Sequence, residues 1–498
     1  MENEIRQQRL DKIHELEQSG INPYPVDFVP TTSVKDFVDK FSYLEAGGED
    51  STEIKLGGRV MLFRGQGKLI FAQLFGQQTK VQLFISEAIT GQEHMDFIKT
   101  IDLGDWVGVE GTPMSTKKGE LSLKVKTLTL LSKCLRPLPD KWSGMSDVDQ
   151  RFRQREVDLI VNEESRKAFE IRHKAIQSIR ELLNEKDFIE VETPVFHHEL
   201  GGASAKPFTT HHEALGIDLY LRIQVELYLK RCVVGGIERV YEFARTFRNE
   251  GLSTRHNPEF TMLEFYQAFS DYNDMMDLTE IIINTAAVKA TGSSIIKITN
   301  ADGEQTEIDL SKSFKRLPML DSIEQVLGTR VHPSDGLEKL TKICEENKVK
   351  VEPFWTPGHC ILGLYEELVE PNIVEPTFIT DYPKDTSPLT KIHRDDPELV
   401  ERFELFMDGK EIANGYTEIN DPIDQLERFE DQLKEKLAGN DEAGTIDYDF
   451  IRALEYGFPP CGGVGIGIDR MVMFLANVQA IREVLLFPTM RPGESLTN

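Results

Sequence analysis

The stretch from Glu238 to Tyr266, ERVYEFARTFRNEGLSTRHNPEFTMLEFY, constrains the fold more than any other part of the chain. It opens in alternation, with Val240, Glu242 and Ala244 on one side and Tyr241, Phe243 and Arg245 on the other. That period predicts a strand with two chemically different faces. The turn-forming run Arg248-Asn249-Glu250-Gly251-Leu252-Ser253-Thr254 breaks it, and an extended run resumes from Pro258 to Tyr266. Two strands joined by a loop carrying Arg248, Glu250, Arg255 and His256 suit a polyanion, because a guanidinium donates two parallel hydrogen bonds to phosphate and stays charged. By composition alone the stretch reads equally well as an ordinary charged hairpin. The specificity lies in the residue order.

A second centre spans Glu401–Met407 and Lys410–Glu418. Ile412, Asn414, Tyr416 and Glu418 alternate to one side of a strand, and Glu404 and Glu411, seven apart, can meet across adjacent strands. Paired carboxylates with open positions suit magnesium, which takes few protein oxygens and keeps water and phosphate ligands. Solvated surface glutamates are the plain alternative in a chain with 84 acidic residues. Gly462 to Arg470 is not a dinucleotide fingerprint, since Ile468 stands at the last glycine position; its glycines suit a strand approached closely by a nucleotide. Gly65-Gln-Gly67-Lys68 is not a phosphate-binding P-loop, because Leu69 follows where Ser or Thr belongs. His211-His212-Glu213 lacks the HExxH spacing and reads as surface histidines.

In these runs the chain resembles the class II aminoacyl-tRNA synthetases, in the form carried by the lysyl enzymes. The Glu238–Tyr266 stretch is similar to motif 2. The helix Arg172–Leu183 running into Phe188-Ile-Glu-Val-Glu-Thr-Pro194, whose strand Pro194 ends, is similar to motif 1, and Gly462–Arg470 with its following apolar helix to motif 3. The resemblance covers nearly the whole chain. It implies an α+β fold, an antiparallel-sheet catalytic core behind an N-terminal OB-fold β-barrel. It also implies a lysine–tRNA ligase that forms lysyl-adenylate from L-lysine and ATP and passes the lysyl group to tRNA(Lys), working as a homodimer through motif 1.

Carried over residue by residue, the resemblance makes Arg248 and Arg470 the catalytic arginines and gives ATP to them with Glu250, Arg255, His256, Asn257 and Phe260. Glu404 and Glu411 become the Mg2+ ligands against the phosphates. Gly202, in the loop Gly201–Phe208, joins Glu226 and Glu264 at the α-ammonium of lysine. Tyr266 and Glu418 receive its side-chain ammonium, Asn414 and Tyr416 line the remainder, and Arg248 also holds the carboxylate. One departure stands beside this pocket: Val225 occupies a position where the family is expected to carry proline. A protein-lysylating paralogue and an inactive regulatory homologue share the core; an intact barrel disfavours the first, retention of Arg248, Glu404, Glu411 and Arg470 the second.

Towards the N-terminus, residues 1 to about 20 read as an amphipathic helix whose Arg6, Arg9 and Lys12 face solvent or a nucleic-acid backbone. From Ile54 to Leu131 short strands alternate with turns, and Leu121, Leu123 and Val125 alternate with Ser122, Lys124 and Lys126, which suits a small Greek-key barrel. The resemblance places the anticodon on Arg64, Phe71 and Gln82; as a bare sequence feature Phe71 reads as a core aromatic. Division is expected at 1–52 (helical extension), 53–145 (barrel) and 146–498 (catalytic domain, with an insertion at about 270–370). Five scattered cysteines without a CxxC pair, a charged N-terminus and no long apolar run predict a cytoplasmic protein with free thiols and no membrane span. The net charge of −27 argues for solubility and says little about a local basic face.

Overall fold

The computed structural model describes residues 2–65, 67–139, 145, 147–199, 205–299, 303–437 and 445–492. They form two compact units, residues 1–151 with 156–162, and residues 152–155 with 163–498.

In the first unit two helices, α1 (Glu2–Gln18) and α2 (Val34–Phe41), precede strands β1 (Ile54–Arg64), β2 (Leu69–Gly76), β3 (Thr79–Ser86), β4 (Trp106–Ser115) and β5 (Leu121–Ser132). The strands close into a barrel in the order β1-β2-β3-β5-β4, with β4 returning to β1. Alternation sets the two faces: Ala72, Leu74, Val81, Leu83 and Ile85 are buried inside, with Leu16, Val34, Phe37 and Phe41 from the two helices joining the same core. Arg9 does not face solvent, and Lys12, partly exposed, is paired within the protein. Arg9 is buried, with its Nη1 donating to the Arg136 carbonyl at 3.1 Å, and Lys12 Nζ meets Asp102 Oδ1 at 2.7 Å. These two cations fix α1 to the barrel.

The second unit is built on an eight-stranded sheet. Its elements, in chain order, begin with α3 (Glu163–Glu185), β6 (Ile189–Glu190), α4 (Glu226–Val234), β7 (Arg239–Phe247), β8 (Glu259–Ala268) and α5 (Tyr272–Thr291). They continue with β9 (Lys315–Pro318), β10 (Thr377–Pro383), β11 (Leu399–Met407), β12 (Lys410–Thr417), β13 (Cys461–Gly467) and α6 (Ile468–Leu475). Strand order is β9-β10-β11-β12-β13-β8-β7-β6, antiparallel except for the outer pairs β6–β7 and β9–β10. One face carries Tyr241, Leu263, Phe265, Leu405, Val464 and Ile466 into a core capped by α3 and α5; Ile171, Ala175, Ile179 and Leu183 recur every fourth residue along α3 to meet it. α5, within the stretch 270–370, starts from a capping box between Asp271 and Asp274. Three further helices between residues 319 and 368 pack around their own apolar cluster.

The strand expected from Phe188 to Pro194 is shorter than its text. β6 pairs only Ile189 and Glu190, because the Thr193 amide and hydroxyl turn instead to the Glu242 carboxylate, at 3.1 and 2.7 Å. A buried side-chain acceptor replaces the next rung of the ladder.

Candidate active site

The second face of the sheet carries the polar residues. Glu264 and Tyr266 on β8 share its side with Glu242 on β7, since Glu242 pairs with Glu264 and Val240 with Tyr266. β13 runs beside β8, with Gly463 opposite Tyr266 and Gly465 opposite Glu264, and on its other edge Gly463 faces Tyr416 and Gly465 faces Asn414. The glycines leave the strand floor bare, so side chains from both neighbours meet above it. A cavity of about 450 Å³ opens there, within the usual range for small-ligand pockets. Glu226, Arg248, Glu250, Arg255, His256, Asn257, Phe260, Glu264, Tyr266, Glu404, Glu411, Asn414, Tyr416 and Arg470 all line it. The structure therefore brings fourteen of the residues singled out in sequence to one cavity. Gly202 lies outside the described residues.

Glu418 sits just beneath this cavity. It is 1% exposed, and a Cβ on Gly463 would fall 2.2 Å from its Oε1, so only glycine lets the carboxylate reach the floor. Glu226, Glu264 and Glu418 are all buried at this end. Tyr266 Oη donates to Glu264 at 3.1 Å, and Tyr416 Oη to Glu226 at 2.6 Å. Burial, with the Glu226 charge adding to it, pushes the Glu264 carboxyl up to about 7. Burial likewise raises Glu418 well above the carboxylate range, against the pull of Lys230. Lys230 Nζ is in ion-pair contact with Glu418 and lies 2.5 Å from Glu226 Oε1. Neither Glu418 oxygen accepts a well-formed hydrogen bond among the described residues. With Lys230 against Oε2, the buried Oε1 remains open to a donor, a costly arrangement unless a ligand fills it.

The other end is phosphate-like in its demands. Arg248, from the loop after β7, packs its guanidinium 5.2 Å from the Phe260 ring centroid, and its buried Nε has no hydrogen-bond partner among the described residues. Arg470, on the first turn of α6, donates to Glu411 Oε2 at 3.0 Å, and its Nη2 lies 3.5 Å from His256 Nε2. Burial and then the Arg470 charge lower His256. Glu404 and Glu411 come from the hairpin β11–β12, which carries a bulge: Leu405 pairs with Ala413 but Phe406 with Glu411, leaving Ile412 as the extra residue. Strict alternation along Ile412, Asn414 and Tyr416 would turn Glu411 away; the bulge turns it to the side of Glu404. Burial pushes Glu404 up to about 7 against Arg402, with the Glu411 charge adding to the rise. Arg402 pairs with Glu404 and sends its Nε to Asn414 Oδ1 at 3.2 Å.

Sequence reasoning missed Lys230 and Arg402. Arg402 lies inside the run Glu401–Met407, where a basic residue between two glutamates in an apolar strand was the available signal; Lys230, on a helix, carried none. Val225, the residue in the expected proline position, is buried and places its amide 3.5 Å from Glu264 Oε1, a donor that proline lacks.

In the first unit Arg64 pairs in register with Phe71, and Gln82 with Gln73. Phe71 belongs to the outward set of β2, half-buried and edge-on to Phe84 at 5.6 Å, not to the barrel core. Gln82 Nε2 reaches Ser122 Oγ at 2.9 Å. Nearby, Phe63 and Ile70 pack against the barrel core, while Leu69 is exposed.

This layout of barrel, sheet and cavity is that of a class II tRNA synthetase. The family described as tRNA synthetases class II (D, K and N) matches residues 147–491, and that described as OB-fold nucleic acid binding domain matches residues 54–131. The chain is 46% identical over 491 residues to the lysine–tRNA ligase of Bacillus subtilis (strain 168), covering 98% of this chain and 97% of the relative. It is 48% identical over 493 residues to that of Carboxydothermus hydrogenoformans, covering 99% of each, and 48% identical over 485 residues to that of Enterococcus faecalis, covering 97% and 96%. The chain belongs to the lysine–tRNA ligase family.

Proposed function

We propose that the protein activates L-lysine with ATP and passes the lysyl group to the 3′ end of tRNA(Lys), with the two ends of one cavity dividing the substrates. The observation that carries this reading is the buried acid end: Glu226, Glu264 and Glu418 are all buried, and Glu418 Oε1 has no hydrogen-bond partner among the described residues. Lysine brings two ammonium groups. An acidic or neutral side chain would leave buried carboxylates unpaired, and a site built this way discriminates by ~10⁴-fold or more without editing. Glu226 and Glu264, with Gly202, take the α-ammonium; Glu418 and Tyr266 take the side-chain ammonium; Asn414 and Tyr416 line the span between.

Arg248 holds the lysine carboxylate against the α-phosphate. The carboxylate oxygen attacks phosphorus in line, the bond to the bridging oxygen of pyrophosphate breaks, and no protein nucleophile takes part. Arg470 and Arg255 receive phosphate oxygens. Phe260 stacks on the adenine, with Glu250, His256 and Asn257 around the nucleoside. In the second step a ribose hydroxyl of the tRNA end attacks the acyl carbon and AMP leaves. Mg2+ fits the donor set: Glu404 and Glu411 face one cavity, and magnesium is held by one or two carboxylates with water and phosphate completing its shell. It would neutralise phosphate charge there.

On the barrel, Arg64, Phe71 and Gln82 form the anticodon surface, through stacking and backbone charge. Motif 1, α3 with β6, forms a homodimer interface. A cytoplasmic location agrees with five free cysteines and with the lack, among the described residues, of any helix long and apolar enough to cross a membrane. Pyrophosphate–ATP exchange run with each of the twenty amino acids tests the whole reading. Exchange with lysine alone is expected; exchange with aspartate or asparagine instead would remove the substrate assignment.

A further inference from the structure

Among the described residues, Lys230 is the cation buried against Glu226 and Glu418 at the acid end, and the reaction does not use it. It lies on α4, its side chain fully buried, one turn after Glu226. Its ammonium is 2.5 Å from Glu226 Oε1 and in contact with Glu418 Oε2, with the Tyr416 and Phe450 rings 5.5 and 5.9 Å away. The groups facing this cluster are Glu264 and Tyr266 from β8, Tyr416 from β12 and Cys461 from β13. The next charges out are Glu242, already paired with Arg222 at 2.7 Å, and Arg402.

Three buried carboxylates and one buried ammonium leave a surplus of two negative charges. A ligand with two ammonium groups cancels it; a ligand with one does not. Uncompensated buried charge is expensive enough that the pocket would hold a proton instead. We propose that Lys230 is a positioning residue of the lysine pocket, whose ammonium clamps Glu226 and Glu418 and sets the charge so that the site balances only around a substrate with two ammonium groups. This rests on the assignment of Glu226, Glu264 and Glu418 to lysine.

The test is Lys230→Met, which keeps the length and removes the charge, beside Lys230→Arg, which keeps the charge. Without Lys230 the Glu226–Glu418 pair shares a proton that lysine must expel. In Lys230→Met the KM for lysine in pyrophosphate–ATP exchange should rise about tenfold or more near neutral pH and fall again by up to about tenfold per unit as pH rises, the slope of one linked proton. The KM for ATP should stay within about twofold, and Lys230→Arg should show no such slope. A Lys230→Met enzyme with an unchanged lysine KM, or with a raised KM that does not vary with pH, overturns the proposal; loss of packing alone lowers the active fraction and hence kcat. If Lys230→Met does not fold, calorimetric titration of lysine into the unmodified protein near pH 7 in two buffers of different ionisation enthalpy replaces it. Release of a fraction of a proton, from Glu264, is expected. Release of a whole proton or more, or uptake, or no exchange, overturns the charge balance, because a pocket without the Lys230 charge must expel a whole shared proton on binding lysine. Failure of the lysine assignment itself looks different: the unmodified protein then shows no lysine-dependent exchange at all.

Discussion

A carboxyl group sealed from water stays ionised only beside a compensating charge, and the hydrogen bonds to Glu264 come from the Tyr266 hydroxyl at 3.1 Å and the Val225 amide at 3.5 Å, neither of them charged. Burial holds it up to about 7 against an ordinary 4.5. The raised value means that the folded protein keeps a proton over a range where the unfolded chain has lost it. This residue therefore favours folding at acid pH, and its contribution is lost as pH rises through about 7. The difference is on the order of 3 kcal/mol. Glu264→Gln should match the lysine-free parent in melting temperature near pH 5 and exceed it near pH 8, while losing the stabilisation that lysine gives the parent. An equal offset at both pH values would show that Glu264 is ionised and compensated in the free protein. Most individual residues of this site were legible because their order matched a family pattern. Lys230 was not: a lysine on a helix reads as solvated, and only the fold shows two carboxylates closing on it.

Elements decide where those residues point. Two consequences of the sheet are testable. The bulge at Ile412 turns Glu411 toward Glu404, and sequence alternation gave no sign of it, since one inserted residue leaves the hydrophobic pattern on either side intact. Glu404→Gln or Glu411→Gln should depress adenylate formation and raise the magnesium concentration needed for it, with lysine binding in the absence of ATP unchanged. Ordinary exchange by both variants at limiting magnesium would remove the metal assignment. On β13 the glycines were read as room for a nucleotide, yet Gly463 also makes room for the protein itself. A Cβ there meets Glu418 Oε1 at 2.2 Å and the Tyr266 ring at 2.4 Å, both buried. Gly463→Ala should cost ~1–3 kcal/mol of stability through overpacking. It should also raise the lysine KM far more than the ATP KM. Gly467→Ala, whose added Cβ finds nothing nearer than 3.7 Å, is the stability control. Equal melting temperatures for the two variants would show that Glu418 and Tyr266 have space to move.

At the scale of the whole molecule, alternation and turn spacing were enough to expect a small barrel and separate later strands, because both signals are local; that those strands make one antiparallel sheet came from the family resemblance. The packing of α1 and α2 into the barrel core was not legible, since Leu16, Val34, Phe37 and Phe41 declare no partner in sequence. Arg9 and Lys12 show the same limit: cations on an amphipathic helix suggest solvent or nucleic acid, while here they reach a backbone carbonyl and Asp102. With a net charge of −27 and these cations used internally, tRNA affinity has to come from particular surfaces. The one we propose is the outward face of β2 and β3, where Phe71 stands edge-on to Phe84 with Gln82 on the same side. An aromatic on an outer barrel face offers a base a stacking surface worth ~1–3 kcal/mol. Phe71→Ala should therefore raise the KM for tRNA about tenfold while leaving lysine-dependent pyrophosphate–ATP exchange unchanged, because exchange needs no tRNA. Phe71 also touches the barrel without belonging to its core, so the melting temperature should fall little. Phe71→Tyr, which keeps the ring, should restore most of the charging efficiency. If exchange fell in step with charging, or if Phe71→Tyr were as impaired as Phe71→Ala, the aromatic face would be a packing feature and the anticodon would have to be read elsewhere.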